Sequence, residues 1–334
     1  MFDCIVVGGG PAVRTTAYQL AQRGRSVLLL EKHSLPRYKP CSGAIAPSLA
    51  SWLDFDITPA IDQKLRHVRY TWQLDDPVEA ELETEEPMWI VRRDVFDQCL
   101  VDQALKAGTT LKDGTAVVGI AFKDDTWTVH TDHGSYAGRY LVAADGADGP
   151  MAQWLGFKSE KVRQSYVLEI DLPTPLETPT MAFEFGLVKQ GCLWDFPKRQ
   201  RHSLGITRFL GDTLKNPEQS LATYAKSLGS DPETGQLYVH GLKLWNGNRP
   251  LHTRQALLVG EAAALVDPMT AEGIRPAIFS GIKAAAAIDR ALAGDAQALA
   301  HYSQTIHDEW GNDIQWSQRI AHIFFRMQKI GYRV

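Results

Sequence analysis

Residues 6–24 read VVGGGPAVRTTAYQLAQRG. The apolar run Cys4 to Val7 stops at Gly8-Gly9-Gly10-Pro11, and Ala17, Leu20 and Ala21 then recur at helical spacing until Gly24. A second apolar run, Val27 to Leu30, ends in Glu31. This order predicts a β-α-β unit whose first turn is rich in glycine. Gly8 and Gly10 allow the turn to tighten and backbone N–H groups to approach a pyrophosphate, while the N-terminus of the following helix offers partial positive charge. Glu31, about 20 residues on, is placed to accept hydrogen bonds from a ribose. A plain glycine turn would leave Glu31 without a reason, so the unit reads as dinucleotide-binding. The third glycine of the pattern is replaced by Val13, followed by Arg14. A β-branched side chain there is expected to push the helix outward or crowd the pyrophosphate, and the Arg14 charge to offset this by approaching a phosphate.

The rest of the chain has room for more than this unit. Its 334 residues suit about two domains, or one α/β domain carrying an insertion. Thirty-five basic against 39 acidic residues give a net charge of −4, which implies no nucleic-acid footprint. Cys4, Cys41, Cys99 and Cys192 are scattered singly, so neither a disulfide framework nor a zinc site is expected. No basic region precedes the first apolar run, and no stretch approaches the roughly 18–20 apolar residues of a membrane span. The expected compartment is the cytoplasm.

Strands are expected within 65–90, around Val117–Phe122, Trp127–Thr131 and Tyr140–Ala143, through most of 166–244, and at Ala256–Val259. Helices are expected over Asp94–Ala107, from near Gly273 onward, and through the last 35 or so residues. The fold class is therefore α/β. A discontinuous dinucleotide-binding domain takes 1–65, 91–160 and 250–334 with the C-terminal helices, and an inserted, mainly antiparallel β-sheet substrate domain takes 66–90 and 161–249.

Two further stretches carry chemistry. YLVAADGADG, Tyr140 to Gly149, runs an apolar strand into an Asp145-Gly146 turn. ALLVGEAAALVDPMTAEGIRPAIFSGIKAA, Ala256 to Ala285, ends a buried strand at Gly260-Glu261, breaks at Asp267-Pro268 and opens an alanine-rich helix at Gly273. The N-terminus of that helix is suited to stabilising negative charge on a ring system.

Taken with the first unit, these stretches resemble the FAD-dependent oxidoreductases of the hydroxylase-like flavoprotein fold, and within them the geranylgeranyl reductase family. LPRYKPCSGA, Leu35 to Ala44, is similar to that family's Pro-Arg-x-Lys-x-Cys-x-Gly element. GCLWDFPK, Gly191 to Lys198, is similar to its Gly-Tyr-x-Trp-x-Phe-Pro element, with Cys192 in place of the Tyr. The family's Gly-Asp after the third-motif strand is here Gly260-Glu261, and its Gly-Glu-Gly-Ile turn is Ala271-Glu272-Gly273-Ile274.

The resemblance implies that Gly8, Gly10, Pro11, Ala12, Val13, Glu31, Lys32 and Arg37 hold the ADP half of FAD. It places Arg93 and Val117 near the ribityl or phosphate region, and Asp145, Gly146, Gly260 and Glu261 on the pyrophosphate and ribityl side. Pro268, Ala271, Glu272, Gly273 and Ile274 would lie along the isoalloxazine, with Cys41, Ser42 and Gly43 near the ring and Cys41 as the candidate catalytic group. Trp194, Phe196 and Pro197 would line the substrate. The implied activity is reduction of carbon–carbon double bonds of an isoprenoid chain, with NADPH or a reduced protein such as ferredoxin as electron donor. Two alternatives share the fold: an aromatic-hydroxylase-type monooxygenase and a non-catalytic relative whose flavin site is impaired. No metal constellation stands out.

The C-terminal segment alternates Ile314, Trp316, Ile320, Ile323, Phe324 and Met327 with Arg319, Arg326 and Lys329. This amphipathic helix either packs on the flavin domain or docks on a membrane holding a lipid substrate.

Overall fold

The computed structural model describes residues 1–211 and 214–333. It divides into two compact units: 1–37, 97–162 and 243–318 form the first, and 38–96, 163–242 and 319–334 the second.

The first unit is built on the predicted β-α-β turn. The strand Phe2–Val7 pairs in parallel with Val27–Leu30 on one side and Gly134–Ala143 on the other. Outward from these, Thr110–Lys112 pairs with Val27–Leu30 and Ala256–Leu258 pairs with Gly134–Ala143, both in parallel. The strands Val117–Lys123 and Thr126–Thr131 form an antiparallel ribbon on Gly134–Ala143. Cys4, Ile5, Val6, Leu28 and Leu29 are buried, as unbroken apolar strands of a parallel sheet covered on both faces should be. The helix Pro11–Gln22 begins with Pro11 in the first turn, where its missing N–H costs nothing, and Gly10 caps it without a side-chain bond.

The second unit contains a seven-stranded sheet in the order Gln236–Leu242, Arg163–Asp171, Arg201–Arg208, Gly191–Asp195, Met181–Phe185, His67–Trp72 and Asp75–Glu81. Every pairing in it is antiparallel except Met181–Phe185 with His67–Trp72. A three-stranded sheet joins Ala44–Ile45, Met88–Val91 and Ile61–Leu65.

The domain boundaries differ from the sequence reading at two segments. Residues 38–65 group with the second unit, because Ala44–Ile45 and Ile61–Leu65 both pair with Met88–Val91. Residues 319–334 do so as well: Phe325 stacks on Phe209 at 4.5 Å, Phe324 meets Phe185 edge-on at 5.5 Å, and the Tyr332 hydroxyl donates to the Tyr70 carbonyl at 3.3 Å. The described residues from 319 onward thus pack on the antiparallel sheet of the second unit.

The region expected to be mostly strands also contains a helix, Pro217–Ser227, whose Leu221, Tyr224 and Ala225 join the core of Leu168, Leu193, Leu204 and Ile206. Pro217 in the first turn and Glu218 at the positive end make a legible helix start, while Asn216 before them takes φ +48° and makes no side-chain capping bond. The helix from His307 opens with a π-turn over His307–Gly311 before continuing as Asn312–Arg326 and Gln328–Arg333. Among the described residues no helix is long and apolar enough to cross a membrane.

Candidate functional site

The three glycine-bearing motifs of the first unit meet at the carboxyl ends of adjacent parallel strands, where the strand order reverses direction and open α/β sheets place their ligands. Gly8 N–H donates to the Leu30 carbonyl at 2.8 Å, Ala144 N–H to Val7 at 2.9 Å, and Val259 N–H to Ala143 at 3.1 Å. At Gly8 the backbone takes φ +127°, and a Cβ would stand 2.3 Å from the Ala144 oxygen, so no other residue fits. A Cβ on Gly9 would lie 1.7 Å from Glu31 Oε2, so a side chain there would have to displace the Glu31 carboxylate. A Cβ on Gly10 meets nothing within 4 Å, which leaves an open cradle at the helix N-terminus. That vacancy beside uncapped N–H groups fits a pyrophosphate.

Glu31 is buried over this turn. Its Oε1 accepts the His33 N–H at 2.9 Å, while Oε2 is only loosely engaged by Arg37 Nε at 3.8 Å and keeps acceptor capacity for a ribose hydroxyl. Arg37 ties the region together, donating from Nη2 to the Gly9 carbonyl at 2.6 Å and from Nη1 to Asp97 at 3.3 Å. Asp97, absent from the sequence reading, also faces Arg14 at 3.9 Å. Thr115 N–H donates to the Glu31 carbonyl at 2.8 Å, Val117 opens the strand Val117–Lys123, and Lys32 is exposed.

Val13 and Arg14 correct two expectations. Val13 is 0% exposed and Arg14 1%. The Val13 side chain is accommodated inside the fold. Arg14 faces Asp97 rather than a phosphate position. The tight approach of this helix falls instead at Gly281 of the helix Ile274–Leu292, where a Cβ would sit 2.6 Å from the Ala12 carbonyl oxygen.

Asp145 lies at the end of its strand with Oδ2 accepting the Met151 N–H at 2.9 Å, while the buried Oδ1 has no hydrogen-bond partner among the described residues. Burial pushes this carboxyl up, partly opposed by the Met151 bond. An orphaned buried acceptor beside the glycine cradle fits a hydroxylated ligand chain. Gly260 donates to Ser280 Oγ at 3.0 Å, and the half-buried Glu261 follows it in a short 3₁₀ turn. Asp267 shapes the third turn: its Oδ1 accepts from Met269 N and Thr270 N, both at 2.8 Å, and from Ser317 Oγ at 2.8 Å. Pro268, Ala271, Glu272 and Gly273 thereby lead into Ile274 at a helix N-terminus that no side chain caps. Burial pushes the Glu272 carboxyl up, opposed by Arg275 at 3.4 Å.

In the second unit, residues 38–43 have no regular secondary structure. Gly43 takes φ +77° and its Cβ would lie 2.1 Å from the Val91 oxygen, so the chain passes tightly against that strand. The half-buried Cys41 Sγ accepts the Gly43 N–H at 3.4 Å, and Ser42 Oγ accepts the Ala44 N–H at 3.5 Å. Behind this segment lies a network that sequence reasoning missed. Lys198 Nζ donates to Glu169 Oε1 at 3.1 Å, to Ser203 Oγ at 3.0 Å and to the Cys41 carbonyl at 3.3 Å. Ser203 Oγ and the Tyr38 hydroxyl also donate to Glu169 Oε1, at 2.7 and 2.5 Å. Arg93 is buried at the start of the helix Arg93–Lys106. Phe196 is buried among Leu65, Val68, Ile90 and Met181, with the half-buried Trp194 edge-on at 5.6 Å. The Pro197 carbonyl accepts from Gln63 Nε2 at 3.2 Å.

Residues 1–185 match the model of the FAD binding domain family. The chain belongs to that family. This FAD binding domain protein is a flavin-dependent oxidoreductase with geranylgeranyl reductase-like homologues. It is 29% identical over 306 residues to an uncharacterized protein of Methanosarcina barkeri, covering 89% of this chain and 78% of that one. It is 24% identical to a digeranylgeranylglycerophospholipid reductase of Methanococcus vannielii, covering 99% of this chain and 86% of the relative. In fold it is similar to a geranylgeranyl bacteriochlorophyll reductase-like protein of Thermoplasma acidophilum, with TM-score 0.85, 22% identity and coverage of 96% and 87%. A myxobacterial chondrochloren halogenase shares the fold at TM-score 0.74 and 19% identity, with coverage of 94% and 81%.

Proposed function

We propose that this flavoprotein reduces carbon–carbon double bonds of an isoprenoid chain carried on a lipid. The observation that carries the reading is the similarity to a digeranylgeranylglycerophospholipid reductase over 99% of the chain, a span that includes both the FAD-binding motifs and the Cys41 segment. FAD, when bound and reduced, would supply the hydride. The Gly8–Gly10 cradle and the N-terminus at Pro11–Val13 would hold its pyrophosphate, Glu31 and Arg37 its adenosine end, and Asp145 its hydroxylated chain. The uncapped helix start at Gly273 and Ile274 would favour negative charge on the ring. Cys41 is the proton donor: its S–H bond breaks as a C–H bond forms at the carbon next to the one receiving hydride, and the Gly43 N–H stabilises the thiolate left behind. The aromatic side chains of Trp194 and Phe196 suit an apolar substrate that offers no polar handle along its length.

Electrons come from NADPH or from a reduced protein such as ferredoxin, and the enzyme works in the cytoplasm at a membrane surface. Trp316, Ile320, Ile323, Met327 and Ile330 are each at least 49% exposed and recur at alternating spacings of four and three, with Arg319, Arg326, Lys329 and Arg333 on the same helices. An apolar stripe with basic company suits docking on anionic lipid.

The test is anaerobic incubation of the FAD-loaded protein with reductant and digeranylgeranylglycerol phospholipid, read by mass spectrometry. The reading predicts stepwise gain of hydrogen. Intact lipid there, together with flavin-dependent oxygen consumption and hydroxylation of an aromatic substrate in a parallel aerobic incubation, would support the monooxygenase alternative. Protein that stays colourless with added FAD would support the impaired-site alternative.

A further inference from the structure

We infer that Lys198 is a positioning residue: with Glu169, Ser203 and Tyr38 it forms a buried charged clamp that fixes the backbone of the Cys41 segment. This inference rests on the reading of Cys41 as the proton donor. The segment 38–43 lacks any ladder of its own, so its shape depends on where side chains grip it. Three grips are present. At one end the Tyr38 hydroxyl donates to Glu169 Oε1. At the other, Val91 N–H donates to the Gly43 carbonyl at 2.9 Å, and Ala44 pairs with Ile90. Between them the Cys41 carbonyl accepts from Lys198 Nζ at 3.3 Å, with Ser203 Oγ, whose proton goes to Glu169, 3.5 Å away.

The burial of these groups argues that the grip is specific. Lys198 is 5% exposed, Glu169 4% and Ser203 0%. Removing both charges from water costs stability that apolar residues of the same volume would not cost, so a buried pair of this kind is weak evidence of stabilisation. What it supplies is geometry. The ammonium has three protons, and they point to a carboxylate, a hydroxyl and one backbone carbonyl. That carbonyl is the one belonging to Cys41. Glu169 and Ser203 face each other in register on neighbouring strands, which makes the platform rigid. A proton donor must reach its carbon within a few tenths of an ångström, and a loop held only at its ends would not ensure that.

The experiment compares Lys198→Met, Lys198→Arg and the charge-free pair Glu169→Gln/Lys198→Met with the unaltered protein, using two readouts. The first is the rate of Cys41 alkylation by iodoacetamide, followed by peptide mass spectrometry so that Cys99 is counted separately. Loss of the grip should raise the Cys41 rate about tenfold or more in Lys198→Met, as expected for loss of a charge-assisted hydrogen bond restraining local opening. Lys198→Arg should restore most of the protection. The second is reduction of the prenyl phospholipid, where kcat should fall while KM and FAD affinity hold. If Lys198→Met does not fold, the charge-free pair keeps the volume without a stranded charge and answers the same question. An unchanged alkylation rate in folded variants overturns the clamp. A raised rate with unchanged kcat overturns its consequence for catalysis. The alkylation result stands apart from the reductase reading, because it requires no turnover.

Discussion

The two segments on which the proposed function rests are held in shape by different physics. The turn at residues 8–12 is fixed by what its residues lack: Gly8 has no side chain where one would strike the Ala144 carbonyl, and Gly10 has none where a cradle is needed. The segment at residues 38–43 is fixed by side chains that arrive from elsewhere in the chain, Glu169, Lys198 and Ser203. The first is a local constraint and the second a long-range one. A local constraint leaves a pattern in consecutive residues. A long-range one leaves only a lysine, a glutamate and a serine among many.

The largest expected effect tests the second segment. Lys198→Met leaves the buried Glu169 carboxylate with only the more distant Arg201 Nε at 3.9 Å as a cation, and loss of one partner of such a pair costs about 3–5 kcal/mol. Chemical denaturation should show this, and Glu169→Gln/Lys198→Met should recover most of the loss. If the single variant is as stable as the parent, water reaches the pair and the contrast between the two segments fails. The matching test of the first segment is Gly8→Ala. It combines a φ of +127° with a contact at 2.3 Å to the Ala144 carbonyl, backbone that follows directly on a parallel strand. A destabilisation of about 3 kcal/mol is expected by denaturant titration.

This contrast also explains what the sequence made legible. The β-α-β unit, the ends of three parallel strands and the uncapped helix start at Gly273 were readable, because glycine and proline each have one physical reason to be where they are. Val13 was misread for the same reason. The rule for that position concerns helix packing, and here the close approach has moved to Gly281, far away in the chain. Asp97, which joins Arg37 to Arg14, lies inside a helix whose face could not be assigned from its own pattern: Phe96 points inward while Val95 and Leu105 are exposed. Residues 38–65 were assigned to the wrong unit because strand partners are not written in a strand's own sequence.

A pH experiment probes the polar interior of the second unit from another side. His202 Nδ1 lies 2.8 Å from Asp195 Oδ2, both buried. Burial pulls the imidazole down, but the hydrogen bond to Asp195 and its negative charge outweigh that and hold His202 above the ordinary histidine value. A raised folded-state value means that folding favours the protonated ring. The contribution is complete below the ordinary value of about 6.5 and fades as pH rises through the raised one. The parent should therefore lose stability relative to His202→Gln as pH is raised above about 6.5. A difference that grows in the opposite direction would mean the pair is neutral throughout.

A smaller effect is expected at Tyr38→Phe. The change removes one of the donors to Glu169 Oε1 and leaves Lys198 and Ser203 in place, so about 1–2 kcal/mol should be lost. Its value lies in the ratio to Lys198→Met: a loss as large as that of the lysine would make the tyrosine, and not the ammonium, the main grip on the segment.

The smallest effect on stability should come from Gly10→Ala, and for that reason it separates fold from function most cleanly. Gly10 has φ −86°, which any residue adopts, and its Cβ would meet nothing within 4 Å. Nothing in the folded chain objects to a methyl group there, so stability should change by no more than about 0.5 kcal/mol. Gly8→Ala acts on the fold; Gly10→Ala acts only on whatever enters the cradle. If the pyrophosphate lies against this turn, the added methyl occupies part of its space and FAD affinity, measured by flavin fluorescence quenching, should fall at least tenfold, which corresponds to about 1.4 kcal/mol. Unchanged affinity in a fully folded variant would mean that the phosphates lie elsewhere, and that the vacancy at Gly10 serves only the start of the helix.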